Sequence, residues 1–219
     1  MSAASALPEP ALELWRFTAH AAMTVQVPPD GCRDLIVIAP RAGAPMCLVS
    51  ALSPASETHA FAPGDTAMGV RLRPGAQFDE RALLALMRAR EGWDDADLLA
   101  AVGAATRLDA RVDDALACLR EAPSLPLAQA RLGVSARSLE RLLSARTRRG
   151  PLWWRQLARA RRCARALAGD APLAALAADH GYADQAHMTR DLRRWFGAPP
   201  SRLCAMPDLL RSLAASGHG

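Results

Sequence analysis

Apolar and polar residues alternate along the first third of the chain. LELWRFTA (12–19) and MTVQVPP (23–29) change character at nearly every position, the period of a strand with one face buried. DLIVIAP (34–40) is a short apolar run between Gly31 and Pro40, as expected of a strand covered on both faces. MCLVSAL (46–52) and AMGVRLRPGA (67–76) continue the pattern. Pro28-Pro29, Gly43, Pro45, Pro54, Pro63-Gly64 and Pro74-Gly75 mark the turns. Several short strands at this spacing predict a small β-barrel or sandwich.

At Asp79 the period changes. DERALLALMRAR (79–90) opens with a capping aspartate and sets Leu83, Leu84 and Met87 on one helical face. DDADLLAAVGAAT (94–106) and RLDARVDDALACLREAP (107–123) predict two further helices, the second stopped by Pro123. Residues 125–206 read as helix throughout, interrupted at Gly133, Gly150-Pro151, Gly169, Gly181 and Gly197. The expected fold class is α+β. Residues 1–78 form the β-rich part, 79–122 a helical linker, 123–206 an all-α domain and 207–219 a tail.

Two stretches of the helical part repeat a plan. LPLAQARLGVSARSLERLLSART (125–147) and APLAALAADHGYADQAHMTRDLRRWFG (171–197) each run from a small-residue helix to a glycine, an apolar residue, a cap and a second helix. Gly133 and Gly181, about 48 residues apart, suit a tight turn with positive φ. Ser135 and Asp184 are placed to accept from the first free amides of the helix that follows. Val134 and Tyr182 are expected to pack each turn onto the core. Between the copies, PLWWRQLARARRCARALAG (151–169) predicts one long helix. Trp153, Leu157, Ala160, Ala164 and Leu167 lie on its inner face, and Arg155, Arg159, Arg162 and Arg165 face solvent or phosphate. A helix, a glycine turn and a capped helix make a helix-turn-helix, whose second helix enters the DNA major groove.

Charge sharpens this. All 27 basic residues are arginine. Residues 1–124 hold 11 Arg against 16 Asp and Glu, a net of −5. Residues 125–219 hold 16 against 6, a net of +10. A basic excess confined to the half with the repeat is the footprint of a phosphate-backbone binder, although a solvated arginine surface has the same composition.

The segment LAALAADHGYADQAHMTRDLRRWFGAPPSRL (173–203) resembles the second-unit signature of the AraC/XylS family of transcription regulators. It has an alanine-containing helix, a Gly-aromatic turn, Asp-Gln-x-His, an Arg-rich helix and aromatic-Gly-x-x-Pro. LAQARLGVSARSLERLL (127–143) resembles the first unit. The family's usual phenylalanine after the histidine is Met188 here, and its usual aromatic late in the first reading helix is Leu143. ARTRRGPLWWR (145–155) departs from the usual start of the connecting helix. The resemblance covers about 80 residues. It implies two helix-turn-helix units reading successive major-groove segments with helices near 136–146 and 184–195.

On that resemblance, Arg137, Ser138, Glu140 and Arg141 of the first helix and Gln185, Ala186, His187 and Arg190 of the second approach base edges. Arg is suited to guanine O6 and N7, and Gln to adenine N6 and N7. Glu140 either accepts from cytosine or orients Arg137 or Arg141. Thr189, Arg193, Arg194, Arg155, Arg159 and Arg162 are phosphate candidates. Trp153, Trp154, Trp195 and Phe196 are expected in the core, His180 at a turn. The N-terminal part resembles the short, cupin-like sensory domain found ahead of some members of the family. It implies a small-molecule effector or dimerisation. Asp30, Arg33, Asp34, Arg71 and Arg73 either line a polar pocket or form surface ion pairs, with Asp34 pairing to Arg71 or Arg73. His20 and His59 do not complete a cupin metal pattern, so neither metal nor other cofactor is expected.

The expected partner is double-stranded DNA. RNA polymerase, an effector and a second copy of the chain are further candidates. No run of 18 apolar residues suggests a membrane span, and MSAASALPEP lacks the basic-then-apolar build of a secretory leader. Cys32, Cys47, Cys118, Cys163 and Cys204 are odd in number and widely spaced, suiting reduced thiols in a cytoplasm. Two rival functions stand beside a regulator. One is a DNA-repair or modification enzyme using the helical domain as a locator; the other is a helical module binding an acidic protein. No P-loop, HExxH or Ser-His-Asp pattern supports catalysis.

Overall fold

The computed structural model describes residues 6–88, 93–215 and 217–219. Met1–Ser5, within the segment read for a leader, lie outside the described residues, as do Ala89 and Arg90 at the end of the first predicted helix. The chain forms two compact units.

The first unit comprises residues up to Val25, Cys32–Leu52 and His59–Ala110. Its centre is an antiparallel sheet in the order β1 (Ala11–Thr18), β6 (Thr66–Leu72), β3 (Arg33–Ala39), β4 (Met46–Val49). Strand β3 lies between β6 and β4, but the expected cover on both faces is incomplete: Leu35 and Val37 are buried, whereas Ile36 and Ile38 are only half-buried. Leu35, Val37, Val70 and Leu72 are buried together with Leu83 and Met87 of α1 (Glu80–Arg88) and Leu98 and Val102 of α2 (Asp95–Ala105). Asp79 caps α1 through the Ala82 amide, and Asp94 with Asp97 forms a capping box on α2. Gly69 is required by close approach: a Cβ there would lie 2.6 Å from the Trp15 ring and 2.8 Å from the Leu35 carbonyl. The expected barrel does not close among the described residues. The remaining strands pair as two ribbons, β2 (Met23–Val27) with β5 (Glu57–Phe61) and β7 (Gln77–Phe78) with β8 (Thr106–Arg107). β5 and the β7–β8 pair went unpredicted, because ETHAF and two-residue strands carry no usable alternation.

The second unit comprises residues 111–219 together with Gln26–Gly31 and Ser53–Thr58. It contains α3 (Ala110–Glu121), α4 (Leu125–Leu132), α5 (Ala136–Thr147), α6 (Pro151–Ala166), α7 (Leu173–Asp179), α8 (Gln185–Phe196), α9 (Pro200–Leu203) and α10 (Pro207–Ala214). Its core gathers Leu157, Ala160, Cys163 and Ala164 of α6 with Leu176, Met188, Leu192, Trp195, Phe196, Leu203, Leu209 and Leu213. The 207–219 segment is thus more than a tail, since α10 buries two leucines.

The inner face of α6 differs from the expected one in two places. Trp154, not Trp153, is wholly buried, and Trp153 is half-buried with its ring edge-on to both Trp154 and Trp195. Arg161 points inward with no exposure and donates to the carbonyls of Pro29, Leu213 and Ala215. Beside it, the buried His218 lies edge-on to Trp154, and its backbone amide donates to Asp30. Burial, then the neighbouring Arg120, pushes its imidazole down to about 3.

Candidate nucleic-acid interface

Both repeats fold as helix, tight turn, helix. Gly133 and Gly181 end α4 and α7 with φ of 63° and 70°, in the left-handed region where other residues are strained. Nothing lies within 4 Å of a Cβ built on either, so backbone conformation alone calls for glycine there. Ser135 accepts from the Ser138 amide at 3.1 Å, and Asp184 from the His187 amide at 2.6 Å. Each cap satisfies an amide that has no partner within its helix. The two turns pack unequally. Tyr182 is buried, whereas Val134 is 38% exposed, contrary to expectation.

The backs of the second helices close the unit. Leu139, Leu143 and Thr147 of α5 are buried, as are Met188, Asp191, Leu192, Trp195 and Phe196 of α8. The other faces are open. Arg137, Ser138, Glu140 and Arg141 are exposed on α5, and Gln185, Ala186, Arg190, Arg193 and Arg194 on α8, with His187 and Thr189 half-exposed.

Several of the predicted residues have local duties. Glu140 accepts from the Ser144 hydroxyl at 2.7 Å and lies against Gly150, rather than pairing with Arg137 or Arg141. His187 stands edge-on to Tyr182, and its Nδ1 accepts weakly from the Ala183 amide. Arg194 reaches both Gln156 and Asp191.

Asp191, the only acid in α8, went unassigned in the sequence reading. It is 8% exposed and meets Arg159 at 3.0 Å, the Tyr182 hydroxyl at 3.1 Å and Arg194 at 3.3 Å. Arg159, read as a phosphate candidate, is 11% exposed and stacks over the Tyr182 ring. The pair ties α8 to α6 and to the turn before α8. Burial, then the Asp191 carboxylate, holds the Tyr182 hydroxyl far above its ordinary range. Burial likewise raises the neighbouring Cys163 thiol to about 11. A lone carboxylate in a basic helix was the available sequence signal. α5 is fastened to α6 by neutral groups instead. The Thr147 hydroxyl donates to the Leu143 carbonyl and accepts from the Trp154 indole N–H at 2.9 Å.

On the outer side of α6, Arg155 and Arg162 are half-buried, and desolvation followed by neighbouring arginines lowers the pKa of both. An anion would relieve that repulsion. His180 closes α7, with its imidazole pushed down by burial and then by Arg162.

Of the five residues proposed for an effector pocket, Asp34 and Arg71 meet. Asp34 accepts from the Trp15 indole at 2.9 Å and pairs with Arg71 at 3.4 Å, the expected partner. Arg33 donates to the Ser50 carbonyl and to Glu80, and lies over Phe78. The Arg73 amide donates to Pro10. Asp30 belongs to the second unit. A cleft of about 910 Å³ in the first unit is lined by other residues, among them Phe78, Ala82, Leu86 and Arg107. Among the described residues no group of three His, Cys, Asp or Glu is placed to hold a metal ion. No helix among them is long and apolar enough to cross a membrane.

No curated protein matches the chain. Among solved structures, the DNA-binding domain of AdpA, a global transcriptional factor crystallised with a target DNA, is 25% identical. That match covers 47% of this chain and 93% of the AdpA chain, with a TM-score of 0.39. ToxT of Vibrio cholerae bound to (E)-4-(8-methylnaphthalen-1-yl)but-3-enoic acid is 9% identical, covers 91% and 97% of the two chains, and has a TM-score of 0.46. A second ToxT structure is 8% identical, with 89% and 97% covered and the same TM-score. Residues 127–205, from α4 to just beyond α9, match the helix-turn-helix domain family. Both turns, both caps and both exposed helix faces fall within this match, so residues 127–205 form a helix-turn-helix domain.

Proposed function

We propose that this chain is a DNA-binding transcription regulator of the AraC/XylS type, which recognises its operator by laying α5 and α8 in two successive major-groove segments. One observation carries this reading: two helices with capped starts and polar, arginine-bearing outer faces are fastened by their backs to the same helix, α6. A 16-residue helix spans about 24 Å, the same order as the ~34 Å between groove segments one turn apart.

Arg137, Ser138 and Arg141 of α5, and Gln185, Ala186 and Arg190 of α8, are the base readers. His187 contributes its exposed edge, and Glu140 acts through Ser144 and the Gly150 turn. Thr189, Arg193, Arg194 and Arg155 hold phosphates, and Arg162 shares in the same electrostatic surface. Arg159 serves the joint between helices rather than the duplex. Residues 1–78 act as the sensory or dimerisation part, 79–122 as the helical connection and 123–206 as the DNA-binding domain. A small-molecule effector, a second copy of the chain and RNA polymerase are the further partners of this reading, and the cytoplasm its compartment.

Selection of bound duplexes from a random pool tests it. The parent protein selects a bipartite site, and Arg141→Ala and Arg190→Ala each cost roughly 1–3 kcal/mol and relax preference at one part of it. Arg193→Ala weakens all sequences alike and lowers the salt slope by about one phosphate. Arg141→Ala and Arg190→Ala variants that discriminate among sequences as the parent does would refute the assignment of readers.

A further inference from the structure

The C-terminal end of α8 is closed by residues from far outside the helix-turn-helix region. The last carbonyls of a helix lack intrahelical partners and carry its negative dipole end. In α8 the Trp195 carbonyl accepts from the Ser56 backbone amide at 2.9 Å and the Ser56 hydroxyl at 3.3 Å. The Phe196 carbonyl accepts from the Gln26 side-chain amide at 3.2 Å. These donors lie 139 and 170 residues away in sequence. They belong to the segments 26–31 and 53–58 that form part of the second unit, and Gly197 faces Gln26 directly. The end of α5 is closed locally, by the Arg148 amide on the Ser144 carbonyl and by Thr147.

We infer that Gln26 and Ser56 are positioning residues for the second reading helix: they fix the tilt and rotation of α8, and so the aim of Gln185 and Arg190. The inference rests on the DNA-reading proposal above. Its physical basis is leverage. Base readout depends on hydrogen bonds that weaken steeply with misalignment, and the readers sit at the opposite end of a 12-residue helix from these bonds. Three donors on two adjacent carbonyls oppose pivoting of the helix about the Asp191 joint, which lies near its middle.

The test uses the full chain with Gln26→Glu and Ser56→Ala combined. The glutamate keeps the side-chain length but sets a carboxylate against the Phe196 carbonyl. Two readouts apply: amide exchange along α5 and α8 without DNA, and the penalty for each base-pair change in the site selected by the parent. The expected results are about tenfold faster exchange at the last turn of α8 with α5 unchanged, and about tenfold weaker binding. Base-pair penalties flatten only in the part of the site assigned to α8. Gln26→Lys, which retains a donor, stays within about twofold of the parent. If the double variant does not fold, Ser56→Ala alone keeps the backbone bond, and about a threefold effect confined to α8 is expected.

Unchanged penalties despite faster exchange reduce the bonds to a structural role and overturn the inference. So does equal flattening in both parts of the site. A parent that selects no sequence at all overturns the DNA reading and this inference with it, and that result is plainly distinct from the other two.

Discussion

The two helix-turn-helix units share a plan and differ in how they are fastened. Each has a left-handed glycine, a side-chain cap and a second helix with a buried back. The first leaves its turn residue, Val134, partly in solvent and holds α5 through neutral hydrogen bonds around Thr147 and Trp154. The second buries Tyr182 and holds α8 through the buried Asp191–Arg159 pair. Their ends differ as well: Gly197 finishes α8 at φ 76°, whereas Arg148 finishes α5 at φ 57°. One repeated sequence pattern therefore specifies the outline of a unit, and separate side-chain chemistry sets how firmly each copy is held. A neutral hydrogen bond contributes about 0.5–1.5 kcal/mol net, while stripping one partner from a buried ion pair costs about 3–5 kcal/mol.

The largest expected effect is therefore in the second unit. Asp191→Ala leaves Arg159 buried beside Tyr182 without its carboxylate and should cost roughly 3–5 kcal/mol. Urea unfolding measures it; a loss below about 1 kcal/mol would remove the contrast between the units.

Acid bears on the Trp154 side of the domain. The folded-state pKa of His218, about 3, lies below the ordinary 6.5, so the unfolded chain binds the proton more readily. Stability is full above about pH 6.5 and declines toward pH 3, by up to about 1.4 kcal/mol per pH unit from this group. The groups facing it are the Trp154 ring and the guanidinium groups of Arg120, Arg161 and Arg162. His218→Gln should flatten that part of the profile in thermal melts taken across pH, and a profile as steep as the parent's would assign the acid sensitivity elsewhere.

Thr147→Val comes next. It strands the Trp154 indole N–H and the Arg149 amide, for an expected loss of roughly 1–3 kcal/mol, with faster exchange in α5 and none in α8. Equal exchange changes in both helices would mean the units are not fastened independently. The smallest effects are at the helix ends. Arg148→Gly should stabilise and Gly197→Ala destabilise, each by about 1 kcal/mol, because only glycine adopts these φ values without strain. The alanine Cβ would meet Gln26 at an ordinary 3.7 Å, so the cost there is conformational rather than steric.

Period and punctuation made much of this chain readable. Alternation placed β1, β2, β4 and β6, a short apolar run placed β3, and glycines with caps placed α4 to α8. The same reasoning missed β5, which alternates nothing, and selected Trp153 where Trp154 is buried. Two adjacent tryptophans lie about 100° apart on a helix, so periodicity alone separates them poorly. It turned Arg159 outward as well, since an arginine says nothing by itself about the carboxylate waiting for it 32 residues on.

The sequence by itself determined the local conformations: strand and helix periods, positive-φ turns, capped starts, and the basic bias of the second half. These follow from residues within a few positions of one another. Only the tertiary structure decided which charges turn inward and which segments belong together. Asp191 with Arg159, Arg161 with the carbonyls of Pro29 and Leu213, and Gln26 and Ser56 with the end of α8 are meetings between residues tens to more than a hundred positions apart. Such meetings depend on complementary groups arriving at one place after the chain has folded, and no local pattern of hydrophobicity records that.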